Sequence, residues 1–183
     1  KKPLIPSEQV LHYLYICALN GTGKGDEAKV NRYFIDRLVK LENAGALTIY
    51  GKACAAVILQ LAGEENKAKE VLQSLMEYSV YTDEMGRYFD TPRAEYSWKS
   101  YRIPTQVAAI EAISRIAKEE KTIEELKRWL LQQKRTQDWE SPVATTDAAY
   151  ALLNTGESVL DNNGACQIKL GKVTVSLEES DTL

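Results

Sequence analysis

The sequence predicts a mainly α protein, a partial α/α toroid of about seven helices with a short C-terminal β segment. Three observations predict it. Helical segments that are apolar on nearly every face alternate with segments that carry one apolar stripe among charges. This alternation returns at a spacing of about 40 to 55 residues, which is the signature of a drifted helical repeat. After Gly156 the pattern changes to short β-branched runs.

The elements follow in order. Ser7 to Asn20 is mostly apolar and stops at Gly21, a natural helix terminator, before the loop residues Gly21 to Gly25. Asp26 to Ala44 carries Val30, Phe34, Leu38 and Leu41 on one stripe, the pattern of a half-exposed helix. Thr48 to Ala62 is apolar all round and ends at Gly63, so it is expected in the interior. Glu64 to Tyr81 returns to the amphipathic type, with Ala68, Val71, Leu72, Leu75 and Met76 facing inward. Pro104 to Lys118 is again rich in small apolar residues, with Pro104 suited to a first helical turn.

The stretch from Thr122 to Leu153 is the part around which the others are arranged. Ile123, Leu126, Trp129 and Leu130 give its first half one dry face, and Thr122 with Glu125 stand in capping-box positions. Its second half, Val143 to Leu153, is small and apolar and is expected to have neighbours on most sides. Trp139 and Pro142 sit where the chain reverses, and Trp139 is large enough to close the space between two helix ends. The order is thus inner, outer, inner, outer, inner, outer, inner. An open solenoid would also satisfy it, but uniformly apolar inner helices favour a toroid around a packed axis.

Residues 85–103 break the helical rhythm with Tyr88, Phe89, Tyr96, Trp98 and Tyr101. Gly86 to Phe89 and Tyr96 to Tyr101 read as extended pieces with a turn at Asp90, Thr91 and Pro92. One reading is a lid over helix ends. The other is a protein-contact surface of Tyr96, Trp98, Tyr101 and Arg102, because aromatics beside arginines suit interfaces. In the tail, Ser158 to Leu160, Cys166 to Leu170 and Lys172 to Ser176 read as strands, with Leu170, Gly171 and Lys172 as a tight connection. The division expected is residues 1–156 for the helical part and 157–183 for the start of a flanking β domain.

Composition narrows the function. A net charge of −3 leaves no electrostatic footprint for nucleic acid or an anionic membrane surface. No apolar run reaches the ~18 residues of a spanning helix. Cys17, Cys54 and Cys166 are too widely spaced for a CxxC pair; the first two lie in apolar helical runs and read as buried small residues. No metal or cofactor set can be assembled, and no residue between Thr122 and Leu153 reads as a catalyst.

The residues from Trp129 to Arg135, then Trp139, Ser141, Thr145, Asp147, Ala148 and Tyr150 to Leu153, resemble the last helical hairpin of the thioester domain in the alpha-2-macroglobulin and complement family, its bacterial members above all. Gly45 to Ala53 and Tyr101 to Ile110 resemble inner helices of the same domain, so the resemblance covers Ser7 to Gly156. The resemblance implies a piece of a larger α/α toroid within a bacterial protease-trapping inhibitor of the periplasm or cell envelope. Its partners would be the target protease, through the full-length parent, and the parent's other domains. In that family a cysteine forms a thioester with a glutamine three residues on, and burial protects the electrophile from water. Here Asn20 follows Cys17 at that spacing, Val57 follows Cys54 and Lys169 follows Cys166, so no thioester forms within this chain. The expectation is a later part of the toroid, with the thioester segment upstream and no catalytic activity in the chain. Family members often use a histidine near the thioester; His12 lies in an apolar helix and reads instead as a satisfied core histidine.

Three other classes remain open. Gln133 to Trp139 has the Gln and Trp spacing of toroidal terpene cyclases, with Gln137 where their glycine stands, but the aspartate cluster of such enzymes is missing. A toroidal polysaccharide lyase or glycosidase would need paired acids, or His and Tyr, in a cleft. A noncatalytic helical scaffold is the third class. An open toroid is also expected to expose apolar flanks on its first and last inner helices, through which copies of the chain self-associate.

Overall fold

The structure is a computed structural model and describes residues 5–22, 25–89, 102–136, 139, 141–155, 166–170 and 173–177. Seven α-helices are seen among these residues: α1 (Glu8–Asn20), α2 (Asp26–Val39), α3 (Ile49–Leu61), α4 (Glu65–Met76), α5 (Arg102–Ile116), α6 (Glu120–Thr136) and α7 (Pro142–Asn154). Four strands accompany them as two antiparallel pairs, β1 (Ser79–Thr82) with β2 (Gly86–Phe89) and β3 (Cys166–Leu170) with β4 (Val173–Leu177). None of these helices is long and apolar enough to cross a membrane.

Local chemistry sets the helix ends. Ser7, Thr48 and Ser141 cap α1, α3 and α7, each side-chain oxygen accepting a backbone N–H of the first turn. Gly21 ends α1 with φ of 60°, where its N–H and that of Thr22 return to the last carbonyls. A short 3-10 turn, Ala44–Ala46, separates α2 from α3, so the second helix is shorter than its apolar stripe suggests. Val30 on that stripe is exposed, whereas Leu38 and Leu41 are buried.

The inner helices follow one another in space as they do in sequence: α1 packs on α3, α3 on α5 and α5 on α7. The outer helices flank them, α4 against α3 and α5, and α6 against α5. α3 is the centre of this layer; Tyr50 through Leu59 are all buried. Small residues allow the close approach, since Ala53, Cys54, Ala55 and Ala56 of α3 and Ala108, Ala109 and Ala112 of α5 are sealed from solvent. Larger side chains, Ile58, Leu59, Leu75, Ile110, Ile113, Leu126 and Trp129, fill the space between the layers.

Several expectations are corrected. The fourth helix stops at Met76, and Ser79–Thr82 is a strand. It pairs with Gly86–Phe89 by way of the turn at residues 83–85, so the hairpin seen among the described residues closes upstream of the turn expected at Asp90, Thr91 and Pro92. Asp90 to Tyr101 and Ser158 to Leu160 lie outside the described residues. The capping box at Thr122 does not form. α6 begins two residues earlier, Thr122 Oγ1 donates to Glu119 at 3.0 Å, and Glu125 pairs with Arg87 at 2.9 Å. α7 is not enclosed: Ala144, Ala148 and Ala151 are buried, but Val143, Tyr150 and Leu153 are exposed, Val143 at 68%.

The β1–β2 hairpin is held on the helices by a polar knot. Gln106 Nε2 of α5 donates to the Arg87 carbonyl at 2.8 Å and the Leu126 carbonyl at 3.1 Å, joining β2, α5 and α6. Gly86 has φ of 80°, and a Cβ there would stand 2.3 Å from the Glu125 carbonyl oxygen. Tyr88 stacks on Trp129 with ring centroids 6.0 Å apart, and Trp139 Nε1 donates to the Leu130 carbonyl at 3.3 Å. Trp139 therefore occupies the helix turn in the manner expected of it.

Candidate functional site

The polar residues that interrupt the inner helices converge. α1 contributes Glu8, His12 and Tyr15, α3 contributes Tyr50 and Cys54, α5 contributes Glu111 and Arg115, and α7 contributes Asp147 and Tyr150. Tyr15, Tyr50 and Cys54 are themselves part of the buried core, while His12 and Tyr150 reach its exposed margin.

His12 Nδ1 and the Tyr50 hydroxyl are 2.5 Å apart and tie α1 to α3. Thr48 Oγ1, at the start of α3, donates to Glu8 at 2.6 Å and makes a second tie between the same helices. Within α5, Arg115 Nε donates to Glu111 Oε1 at 2.5 Å, which neutralises a buried carboxylate one turn away. Both Glu111 and Arg115 also act on the Tyr150 hydroxyl of α7.

Burial dominates the electrostatics. It pushes the Tyr15 and Tyr50 hydroxyls well above the ordinary tyrosine range, with Cys54 adding to both shifts. Burial also pushes the Cys54 thiol up to about 12, against the smaller opposing effect of the Tyr50 hydroxyl. That thiol is protonated at neutral pH and is a poor nucleophile. Asp147 is half-buried, and desolvation raises its pKa while His12 pulls it back. Tyr15 and Tyr50 also lie within the electrostatic reach of Asp147.

His12 differs from the sequence reading in position. It is exposed and not within the core, although its ring is bonded. Cys17 and Cys54 are buried free thiols, as their apolar surroundings suggest. Of the expected protein-contact residues, Tyr96, Trp98 and Tyr101 lie outside the described residues. Arg102 opens α5, half-buried, with its guanidinium carbon 5.5 Å from the Trp129 ring centroid, so the cation is directed at the core. Among the described residues no group of three His, Cys, Asp or Glu side chains is placed to hold a metal ion.

Sequence reasoning missed Tyr15, Tyr50, Glu111 and Asp147 as a set. The one available signal was the polar residue recurring on each otherwise apolar inner helix; the spacing between helices gives no hint that these residues share a face. A separate groove of about 420 Å3 lies between α4, α5 and the start of α6, lined largely by Leu72, Met76, Ile113 and Ile116. It carries no convergent polar set.

Comparison with protein-family models, with curated proteins and with solved structures returns no match to this chain.

Proposed function

We propose that this chain is part of an α/α toroid from a bacterial macroglobulin-like protease-trapping protein of the periplasm or cell envelope, and that it carries neither a thioester nor catalytic activity of its own. The observation that carries this reading is the succession α1, α3, α5, α7 with outer helices on its back, ending in the α6–α7 hairpin organised on Trp129 and Trp139. That hairpin is the segment in which the family resemblance is most specific.

A curved succession of inner helices would favour the toroid over a flat stack. In a flat layer α1 and α7 would stand three interaxial steps of about 8–10 Å apart, too far for their side chains to interact. Yet His12 and Tyr15 of α1 share one electrostatic neighbourhood with Asp147 of α7. The helices α1 and α7 do not pack on each other along their lengths, which suits an open arc.

The test is made on the full-length parent. Incubated with a panel of endoproteases, the parent is expected to leave their hydrolysis of small peptides intact while blocking their attack on protein substrates. Proteases that keep full activity on both would overturn the reading.

One observation favours a second reading, a toroidal polysaccharide lyase: the His12–Tyr50 couple beside Asp147 is a proton-transfer pair of the sort such enzymes need. That reading predicts release of unsaturated sugar products from uronate polymers by this chain, abolished by His12→Ala. No product from any such polymer removes it.

A further inference from the structure

The groove between α4, α5 and the start of α6 has no part in the polar cluster of the inner helices. Its volume of about 420 Å3 lies in the range of small-ligand pockets. Leu72 of α4 and Ile113 of α5 are buried and supply its deeper surface, while Met76 and Ile116 are half-buried and line it nearer to solvent. These side chains are aliphatic or thioether, with no aromatic ring among them, and such a surface suits a flexible alkyl chain. Two charged side chains share the lining, and they are not equivalent. Glu119 accepts a hydrogen bond from Thr122 Oγ1 at 3.0 Å. Lys69 is exposed and makes no hydrogen bond or ion pair among the described residues, whereas Lys67 on the same helix is held by Glu70 at 2.7 Å and by the Leu41 carbonyl at 2.6 Å. The uncommitted charge of the groove is therefore a cation.

We propose that this groove binds an amphiphile with a single alkyl chain and a carboxylate head, the chain laid over Leu72, Met76, Ile113 and Ile116 and the head on Lys69 Nζ. Burial of the chain supplies the affinity, at about fourfold for each methylene fully withdrawn from water and less in a groove that stays open on one side. The ion pair at the exposed Lys69 adds only a few-fold and sets the direction in which the ligand lies. Glu119 reinforces that direction, because its charge repels a carboxylate from the α6 side of the groove. A small inorganic anion gains nothing from the apolar surface, and one exposed lysine is too weak to hold it. This inference goes beyond the macroglobulin reading and does not depend on it.

The experiment is an amide-resolved NMR titration of the whole chain with sodium octanoate, 1-octanol and octylammonium chloride at constant ionic strength, each kept below the concentration at which it aggregates. Octanoate is expected to give saturable shifts clustered around residues 69–76 and 113–122. Octanol, which keeps the chain and lacks the charge, binds at the same residues about three- to fivefold more weakly, and octylammonium more weakly still. Shortening the acid to hexanoate lowers its affinity by about tenfold. Lys69→Met brings octanoate down to the affinity of octanol and leaves octanol unchanged. Lys29→Met, which makes the same change in net charge at an exposed lysine of α2, leaves octanoate binding unchanged. Shifts that do not saturate or that scatter over the surface, octylammonium binding as tightly as octanoate, or octanoate binding that survives Lys69→Met intact would each overturn the proposal.

Discussion

Asp147 illustrates how one side chain can weaken a fold at neutral pH. Its pKa is raised in the folded chain, so the ionised form is less favoured there than in the unfolded chain. The cost is absent below the ordinary aspartate value of 3.8, where both states hold the proton, and is complete once pH passes the raised folded value. Asp147→Asn is therefore expected to raise the urea midpoint at pH 7 and to leave it unchanged near pH 3; an equal gain at both would mean that desolvation of the charge is not the cause. Lys52 poses the opposite case. It is buried, but its Nζ donates to Ser74 at 3.0 Å and lies 4.1 Å from the Tyr78 ring centroid, so the ammonium has partners. Ser74→Ala removes the hydrogen-bonded one and is expected to cost about 1–3 kcal/mol in chemical denaturation, because it strands a buried donor.

At the scale of the element, glycine separates two kinds of constraint. Gly63 and Gly86 both have φ near 80°, but a Cβ on Gly63 meets open space while one on Gly86 collides with the backbone of α6. Gly63→Ala is expected to cost about 1 kcal/mol, the left-handed backbone alone. Gly86→Ala adds displacement of the hairpin from α6 and is expected to cost about 2–4 kcal/mol. Equal losses in the two denaturation curves would show that the hairpin does not rest on α6. The same hairpin shows why its pairing escaped the sequence. The run from Ser79 to Thr82 continues the α4 pattern without a breaker, and only the docking of Arg87 on Glu125 and of Gln106 on the Arg87 carbonyl makes a strand there worthwhile.

For the whole molecule, the outcome turns on how the two ends of the inner layer are covered. α1 leaves Tyr13 and Ile16 exposed, and α7 leaves Val143, Tyr150 and Leu153 exposed. Apolar stripes of this kind promote association. Sedimentation over a concentration series is expected to show self-association of the chain that Val143→Glu with Leu153→Lys diminishes; a strict monomer that binds no apolar dye would mean the edges are already shielded. The helix pattern itself was legible because the inner helices are apolar all round and the outer ones are striped, a difference that burial imposes directly on residue choice. Burial of Leu38, Leu75, Leu126 and Trp129 could be read in this way. The exposure of α7 could not, since its composition is that of an enclosed helix and only its neighbours decide whether it is one.

The sequence by itself determined the number, order and character of the helices, and it ruled out a thioester within the chain, because periodicity and spacing are local properties carried by each segment alone. The tertiary structure decided that His12 of α1 meets Tyr50 of α3, that Ser79–Thr82 is a strand, and that α7 forms an open edge. The first and last of these outcomes depend on the angle between successive inner helices. That angle arises from the packing of Ala53, Ala56, Ala109 and Ala112 against their neighbours, a sum of many contacts that no single stretch of the chain encodes.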